Sequence, residues 1–563
     1  MPGAVHAPHH PTPEWIKKIS DMHLFDDGWN KLRDTIFANQ KRLGVIPQDA
    51  KLTPWPHDLL KNWDELSPDE KKLFIRQADV FAAYFAYTDH EIGRVIDEID
   101  RMGKLDNTLI IYIAGDNGNS AEGTPIGTPN EVASLNGVEI PIADQMKFYD
   151  AWGSDQTYPH MAVAWTWAFD TPFSWTKQIA SHWGGVRQGM TVSWPKVIKD
   201  KGGIRNQFTH VIDIVPTILE ATGIQAPDVV DGIPQKPIEG ISFMYTFDTK
   251  NADAPSRHHT QYFEMMGDHA IYHDGWIAST KVMRPPWILA SAVSQDPAGY
   301  PYELYDLTKD WTQFDNVADK YPDKVRELAN LFWEEADKYQ VLPLDATAAT
   351  RLAQPRPNLA AGRTEFTWSG EVTGTPNGDA PSILDSSYTF TAEIDVPQGG
   401  AEGMIVTQGG RFGGYGVLLA RASLCSCTTS SILQRTRWQG PDALTPGKHT
   451  LEFDFKYDGL GAGTLAFNNV SGIGRRGTGV LKVDGKEVAR QRMEHSIPLI
   501  MQWDENFDIG ADTGTPVDDA DYQVPFRFTG KLEKLTLKID RPTLSPEDLE
   551  KLKEATRNNK AAE

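Results

Sequence analysis

The chain has 563 residues, with 55 lysines and arginines against 77 aspartates and glutamates and a formal charge of −22. At roughly 150 residues per folding unit that length predicts more than one core, and the acidic balance argues against nucleic acid or an anionic membrane as the main partner. No apolar run reaches the roughly 18 residues that suggest a membrane span, and two cysteines, Cys425 and Cys427, make neither a disulfide framework nor a zinc cluster and define no compartment.

The chain opens on a His- and Pro-rich stretch, and its amino terminus, Met1 to His10, lacks the basic-then-apolar pattern of an export signal. Pro13 to Ile19 reads as a short helix and Gly28 to Gln40 as an amphipathic one, followed by a proline-punctuated connector from Leu43 to Pro56. From Ser67 to Met102 the residues Leu73, Phe74, Val80, Phe81, Tyr84, Phe85, Ile92, Val95, Ile96 and Ile99 recur at helical spacing, and Gly103 ends the helix. The unbroken apolar run Leu109 to Ala114 then predicts a short strand buried on both faces, as in a parallel sheet covered by helices. Asp116 and Asn117 follow at its carboxyl end, where ligands of α/β sheets bind, and both offer hard oxygen donors.

Between Thr124 and Asp170 lies a long Gly-, Pro- and aromatic-rich insertion with Trp152, Tyr158, His160, Trp165 and Trp167. It reads equally as a substrate-pocket loop or as a satellite hydrophobic cluster. Lys177 precedes the paired glycines Gly184 and Gly185, which permit close backbone approach before a strand at Met190 to Pro195. Thr209 to Gly223 reads as a glycine-closed helix, Ala270 to Tyr272 and Trp276 to Ser279 as strands, and Asp323 to Tyr339 as a charged amphipathic helix.

After a linker over 344–364 the period changes. Tyr388, Phe390, Ala392, Ile394 and Val396 alternate with polar residues, as do Leu451, Phe453, Phe455 and Tyr457, and further strands fit Val480 to Val483 and Phe526 to Ile539. The expected fold class is therefore α/β, a layered mixed sheet over 1–343, followed by a β-sandwich of jelly-roll type over 365–541 and a charged helical tail over 542–563.

The chemistry-bearing residues are His6, His9 and His10, then Asp116 and Asn117, then Lys177 and His182. A metal on the Asp and Asn oxygens, a lysine to hold an anionic oxygen and a histidine to protonate a leaving group make a workable set for cleaving a sulfate or phosphate ester. The ordered set Ala7-Pro8-His9, Ile92-Gly93-Arg94, Leu105-Asp106-Asn107-Thr108, Gly115-Asp116-Asn117-Gly118, Lys177 ahead of Ser181-His182-Trp183-Gly184-Gly185, and His210 to Thr217 resembles the sulfatase family, bacterial arylsulfatases in particular, over residues 1–340. The resemblance implies an alkaline-phosphatase-like α/β fold, with Asp116 and Asn117 binding Ca2+. It implies that Lys177 contacts the sulfate group, as a substrate-binding and catalytic residue, and that His9 assists departure of the alcohol. The implied substrate is a small-molecule alkyl or aryl sulfate monoester.

One departure stands out. The family's nucleophile is a formylglycine made from Cys or Ser in a Cys/Ser-x-Pro-x-Arg motif, and this chain has no such motif; Cys425 and Cys427 are not followed by Pro-x-Arg. The paired aspartates of an early strand are missing too. The expectation is that Met1 lies inside the catalytic domain, and that the chain alone binds metal weakly and turns over little. The alternatives are a phosphatase or phosphodiesterase of the same superfamily, and a non-catalytic protein in which the β-sandwich contacts glycans.

Overall fold

The computed structural model of the protein describes residues 5–115, 117–288, 296–346, 357–420, 423–431, 434–458 and 476–540. The tail expected over 542–563 and residues 347–356 of the expected linker lie outside them.

Helix α1 (Pro13–Ser20) starts where the Thr12 side chain accepts from the Trp15 amide, with proline in its first turn. Helix α2 (Gly28–Leu43) is closed by Gly44 at φ +72°. Helix α3 (Pro68–Arg101) begins at a capping box, in which Ser67 and Glu70 satisfy each other's backbone amides. Its first half buries Leu73, Phe74, Ala78 and Val80 in a core with Trp29, Trp63 and Trp165. Its second half leaves Phe85 and Val95 exposed.

Strand β1 (Ile110–Ile113) forms where its apolar run predicts, but it is not the doubly covered parallel strand expected from that run. It pairs antiparallel with β2 (Met190–Ser193), Ile110 opposite Ser193 and Ile113 opposite Met190, and each of its four residues is half-buried. Among the described residues these two strands form a sheet of their own. An apolar run specifies extended structure, whereas its burial depends on what other segments lay against it.

The insertion between β1 and β2 folds as a packed layer containing α4 (Glu131–Leu135) and α5 (Val163–Phe169). Trp152, Trp165 and Trp167 join the core around α3, and Tyr158 packs with Val132, Ala133, Ile140 and Phe412. Of the two readings of this insertion, its aromatic side chains make the hydrophobic cluster. Helix α6 (Ile214–Thr222) is shorter than the sequence suggests, because Val211–Asp213 forms a 3-10 turn ahead of it. Strands β3 (Thr260–Met265), β4 (Asp268–His273), β5 (Trp276–Thr280) and β6 (Tyr302–Asp306) form an antiparallel meander. Helix α7 (Pro322–Lys338) covers it, packing Leu328, Phe332 and Ala336 on Ile271, Ala278 and Leu304.

The rest is a β-sandwich. One sheet runs Val372–Pro376, Asn506–Ile509, Gly403–Gly410, Gly413–Ala420, Ser423–Ser431 and Gln434–Ala443 in spatial order. The other runs Lys486–Met493, Gly477–Val483, Gly447–Tyr457, Ser387–Val396, Lys531–Asp540 and Glu365–Trp368. The alternation read from sequence is the register itself: Tyr388 faces Phe455, Phe390 faces Phe453 and Ala392 faces Leu451 across an antiparallel ladder, and all six are buried. The strand expected from Phe526 begins only at Lys531, since the backbone amides of Phe526 and Phe528 turn instead to Asp512 and Gly510. The sandwich is tied to the α/β region by Asn136, which accepts from the amides of Leu499 and Ile500 and donates to the Ile500 carbonyl, and by Asn130, which donates to the Phe412 carbonyl.

Candidate functional site

Beyond β1 the chain turns at Gly115 (φ +93°) and Gly118 (φ +80°). Asp116 lies outside the described residues; Asn117 is exposed. A Cβ on Gly118 would come within 2.0 Å of the Gly184 carbonyl oxygen and 2.9 Å of the Lys177 amide nitrogen, so only glycine lets this turn press against the Lys177 loop. Gly184 is equally constrained, its added Cβ falling 2.2 Å from the Trp175 carbonyl. The expected close approach at the paired glycines is thus present. Trp175 and Gln178 hold left-handed backbone, at φ +69° and +78°. That conformation costs about 1 kcal/mol for a residue with a Cβ and persists where surrounding contacts enforce it.

The loop delivers Lys177 to Glu122. The Lys177 ammonium donates to Glu122 Oε2 at 3.0 Å, the Ser120 hydroxyl donates to the same oxygen at 2.7 Å, and the Gln178 amide donates to Oε1 at 2.9 Å. Burial alone would raise the Glu122 carboxyl, but Lys177 and Ser120 outweigh it and hold it at about 2.

His9 reaches the same place from the far end of the chain. It is buried, its amide donates to the Pro159 carbonyl, and its ring lies 5.0 Å from Phe81 and 5.1 Å from His160, centroid to centroid. Burial, then the neighbouring His160, His6 and His10, push its imidazole well below the usual histidine range. His6 is exposed, and His10 is taken up by the Thr157 carbonyl at 2.8 Å. His182 pairs with Glu303 at 3.1 Å, and Glu303 also accepts from the Tyr305 hydroxyl.

His160 links the two ends. It is 1% exposed, and its Nε2 stands 3.9 Å from Oε1 of Glu131, which is fully buried. Ligand atoms of Glu122, Glu131 and His160 all lie within 4.8 Å of one another. The sequence-predicted His9 and Lys177 are therefore joined through His160 and Glu122, with Asn117 one residue from the turn packed on Lys177. Glu122 and Glu131 were not singled out from sequence, and His160 was seen only as part of the aromatic insertion. The one local signal was Asn130, whose side chain caps α4 and so places Glu131 at the helix start.

Calcium takes six to eight oxygens. Asn117 supplies one side-chain oxygen at this corner and Asp116 lies outside the described residues, so the described donors do not make a calcium cage. Cys425 and Cys427 are buried in the sandwich, where burial pushes their thiols up, Cys427 to about 12. Neither is a nucleophile at neutral pH.

Residues 1–224 match the sulfatase family, and residues 174–340 match the carboxyl-terminal region of N-sulphoglucosamine sulphohydrolase. Over residues 1–340 the chain is thus similar to sulfatases. An uncharacterized sulfatase of Schizosaccharomyces pombe is 29% identical over 339 residues, 58% of this chain and 55% of that protein. An arylsulfatase of Klebsiella aerogenes is 26% identical over 266 residues, 46% of this chain and 52% of the relative. The chain thus spans about half the length of these two relatives. A solved structure from work on glycosaminoglycan metabolism by Bacteroides thetaiotaomicron is 20% identical and covers 47% of this chain and 45% of its own, with a TM-score of 0.30. The architecture of the chain, an α/β region followed by a β-sandwich, is the fold class the sequence predicts.

Proposed function

We propose that residues 1–340 serve hydrolysis of a sulfate monoester, an alkyl or aryl sulfate, with Lys177 binding the sulfate group and His9 assisting release of the alcohol. The observation that carries this reading is the convergence of His9 and Lys177, distant in sequence, on the buried His160 and the half-buried Glu122. In the net reaction water is consumed, the bond between sulfur and the alcohol oxygen breaks, and sulfate and the free alcohol leave.

Lys177 is half-buried beside Glu122, and an ammonium in such a place binds an anionic oxygen more strongly than one in bulk water. His9 is uncharged in its buried setting. An anionic ester bound beside it favours the imidazolium and raises its proton affinity, which makes the ring able to deliver a proton to the departing alkoxide. Asp116 and Asn117 are the proposed Ca2+ ligands. The formylglycine step of the family is assigned to no residue of this chain, because it contains no Cys/Ser-x-Pro-x-Arg sequence.

Calorimetric titration of the chain with an aryl sulfate and with the matching aryl phosphate tests the proposal. The expected result is preferential binding of the sulfate, weakened at least tenfold in Lys177→Ala and less in His9→Gln. Preference for the phosphate would favour the phosphatase alternative, and equal affinity of wild type and Lys177→Ala would remove the role given to this lysine.

A further inference from the structure

We infer that Glu131, His160 and Glu122 form a site for one divalent metal ion of the zinc class, built on residues other than Asp116 and Asn117. Glu131 is fully buried, and neither of its carboxylate oxygens has a hydrogen-bond partner among the described residues. His160 is 1% exposed and its Nε2 likewise has no hydrogen-bond partner. A buried carboxylate left this way costs several kcal/mol unless a cation or a proton compensates it.

The tautomer of His160 makes the arrangement directional. Its Nδ1 faces the Met161 carbonyl oxygen at 3.1 Å, and since that oxygen only accepts, Nδ1 carries the proton. Nε2 is then a bare lone pair aimed at Glu131 Oε1 across 3.9 Å. Two acceptors facing each other at that distance repel, and a cation between them turns the repulsion into two bonds. A second-shell carbonyl that orients a ligating imidazole in this way is the usual support of a metal-binding histidine.

The backbone holds the donors firmly. His160 and Thr128 exchange backbone hydrogen bonds at 2.9 and 3.0 Å, and the Glu131 amide donates to the Tyr158 carbonyl at 2.8 Å. A Cβ on Gly123 would lie 2.0 Å from the Met161 carbonyl oxygen and 2.5 Å from His160 Nδ1, so this chain segment presses on the ring and fixes its plane. One imidazole nitrogen with two carboxylates suits zinc better than magnesium or calcium, which favour oxygen alone. Metal–ligand bonds of about 2.0–2.2 Å require the three donors to draw together from their 4.8 Å spread by side-chain rotation. Three protein ligands leave a fourth position open. Such an ion would also take over neutralisation of Glu122 and leave the Lys177 ammonium for an anionic ligand.

The test strips the full chain with a chelator, reloads it with Zn2+ or Co2+, and measures bound metal by mass spectrometry after dialysis. One equivalent of zinc is expected, with affinity at least tenfold lower in Glu131→Gln and His160→Gln and unchanged in Asp116→Asn. Circular dichroism checks that the variants fold. If they do not, the visible spectrum of the Co2+-loaded wild type decides, four-coordinate nitrogen and oxygen ligation supporting the site. Substoichiometric metal in the wild type, retention in both folded variants, or thiolate charge-transfer bands from the cysteines would overturn the inference. The first of these results would mean that a proton compensates Glu131.

Discussion

The strand Gly403–Gly410 of the sandwich is buried at every position, Thr407 and Gln408 included, whereas β1, apolar at all four residues, is half-buried at every one. The difference lies in the neighbours. Gly403–Gly410 sits inside a six-stranded sheet with a second sheet packed against it; β1 has a single partner among the described residues. The same contrast holds for helices. Helix α7 closes its apolar face on a four-stranded meander, while α6 presents Val215 and Ile218 to solvent. Apolar composition therefore sets what a segment can bury, and layer architecture sets what it does bury. In this chain the sandwich has the more fully covered strands, and the α/β region holds the proposed site on a thinner support.

The largest expected effect sharpens that contrast. Phe455 is 2% exposed and packs on Tyr388 with ring centroids 5.3 Å apart, so Phe455→Ala should cost about 3–5 kcal/mol in urea unfolding followed by tryptophan fluorescence. Ile111→Ala in β1 should cost only about 1–2 kcal/mol, because that side chain is already partly wet. Equal losses at the two positions would break the distinction between covered and uncovered strands.

A second effect is read in pH. Asp385 is buried at the start of the Ser387–Val396 strand, where it accepts from the Tyr457 hydroxyl at 3.2 Å, and burial pushes its carboxyl up to about 8. Unfolded, the same group ionises near its ordinary value of about 3.9. Between those values the folded chain keeps a proton that the unfolded chain has lost, so this group's contribution to stability falls as pH rises from about 4 to about 8. Asp385→Asn keeps the shape and tolerates the φ of +53° there. It should flatten the slope of stability against pH and gain about 2–4 kcal/mol at pH 8; parallel slopes in the two proteins would show that the carboxyl ionises in the fold without penalty.

A third effect tests whether the two regions unfold together. Asn136 is 2% exposed and meets the amides of Leu499 and Ile500 at 3.0 and 3.1 Å and the Ile500 carbonyl at 2.8 Å. Asn136→Ala strands these backbone groups at the interface, at about 2–3 kcal/mol. Calorimetry should then resolve two transitions, the sandwich melting last. An unaltered single transition would mean that Phe412, Tyr158 and Trp503 couple the regions without it.

These contrasts also explain how much of the molecule could be read from its sequence. The sandwich was legible because strict alternation from Tyr388 to Val396 and from Leu451 to Phe455 is the pleat itself, with one answer for which face is inside. Helix α3 was legible because Ser67, Pro68 and Glu70 announce its start and Gly103 its end. The environment of β1 was not, since four apolar residues do not say how many strands will flank them. His9 and Lys177 were singled out through motif order, a signal of kinship that carries no distances. Glu131 and His160 escaped because no spacing links residues brought together by a long insertion folding back, through the backbone bridges of Thr128 to His160 and Asn130 to Tyr158.

The smallest effect is expected where the comparison is most extreme. Val215 projects from α6 at 49% exposure, although it occupies an apolar position of a helix closed at Gly223. In an ordinary amphipathic helix, replacing such a residue with lysine would remove buried area and strand a charge, at several kcal/mol. Here the side chain already meets water on one side, and a lysine can lay its methylenes along the same surface while its ammonium stays solvated. Val215→Lys should therefore change unfolding free energy by no more than about 0.5 kcal/mol, with a small gain in helix propensity offsetting the lost contacts. A loss above about 2 kcal/mol in the same urea assay would show that Val215 is covered in solution, and the contrast drawn between α6 and α7 would have to be withdrawn.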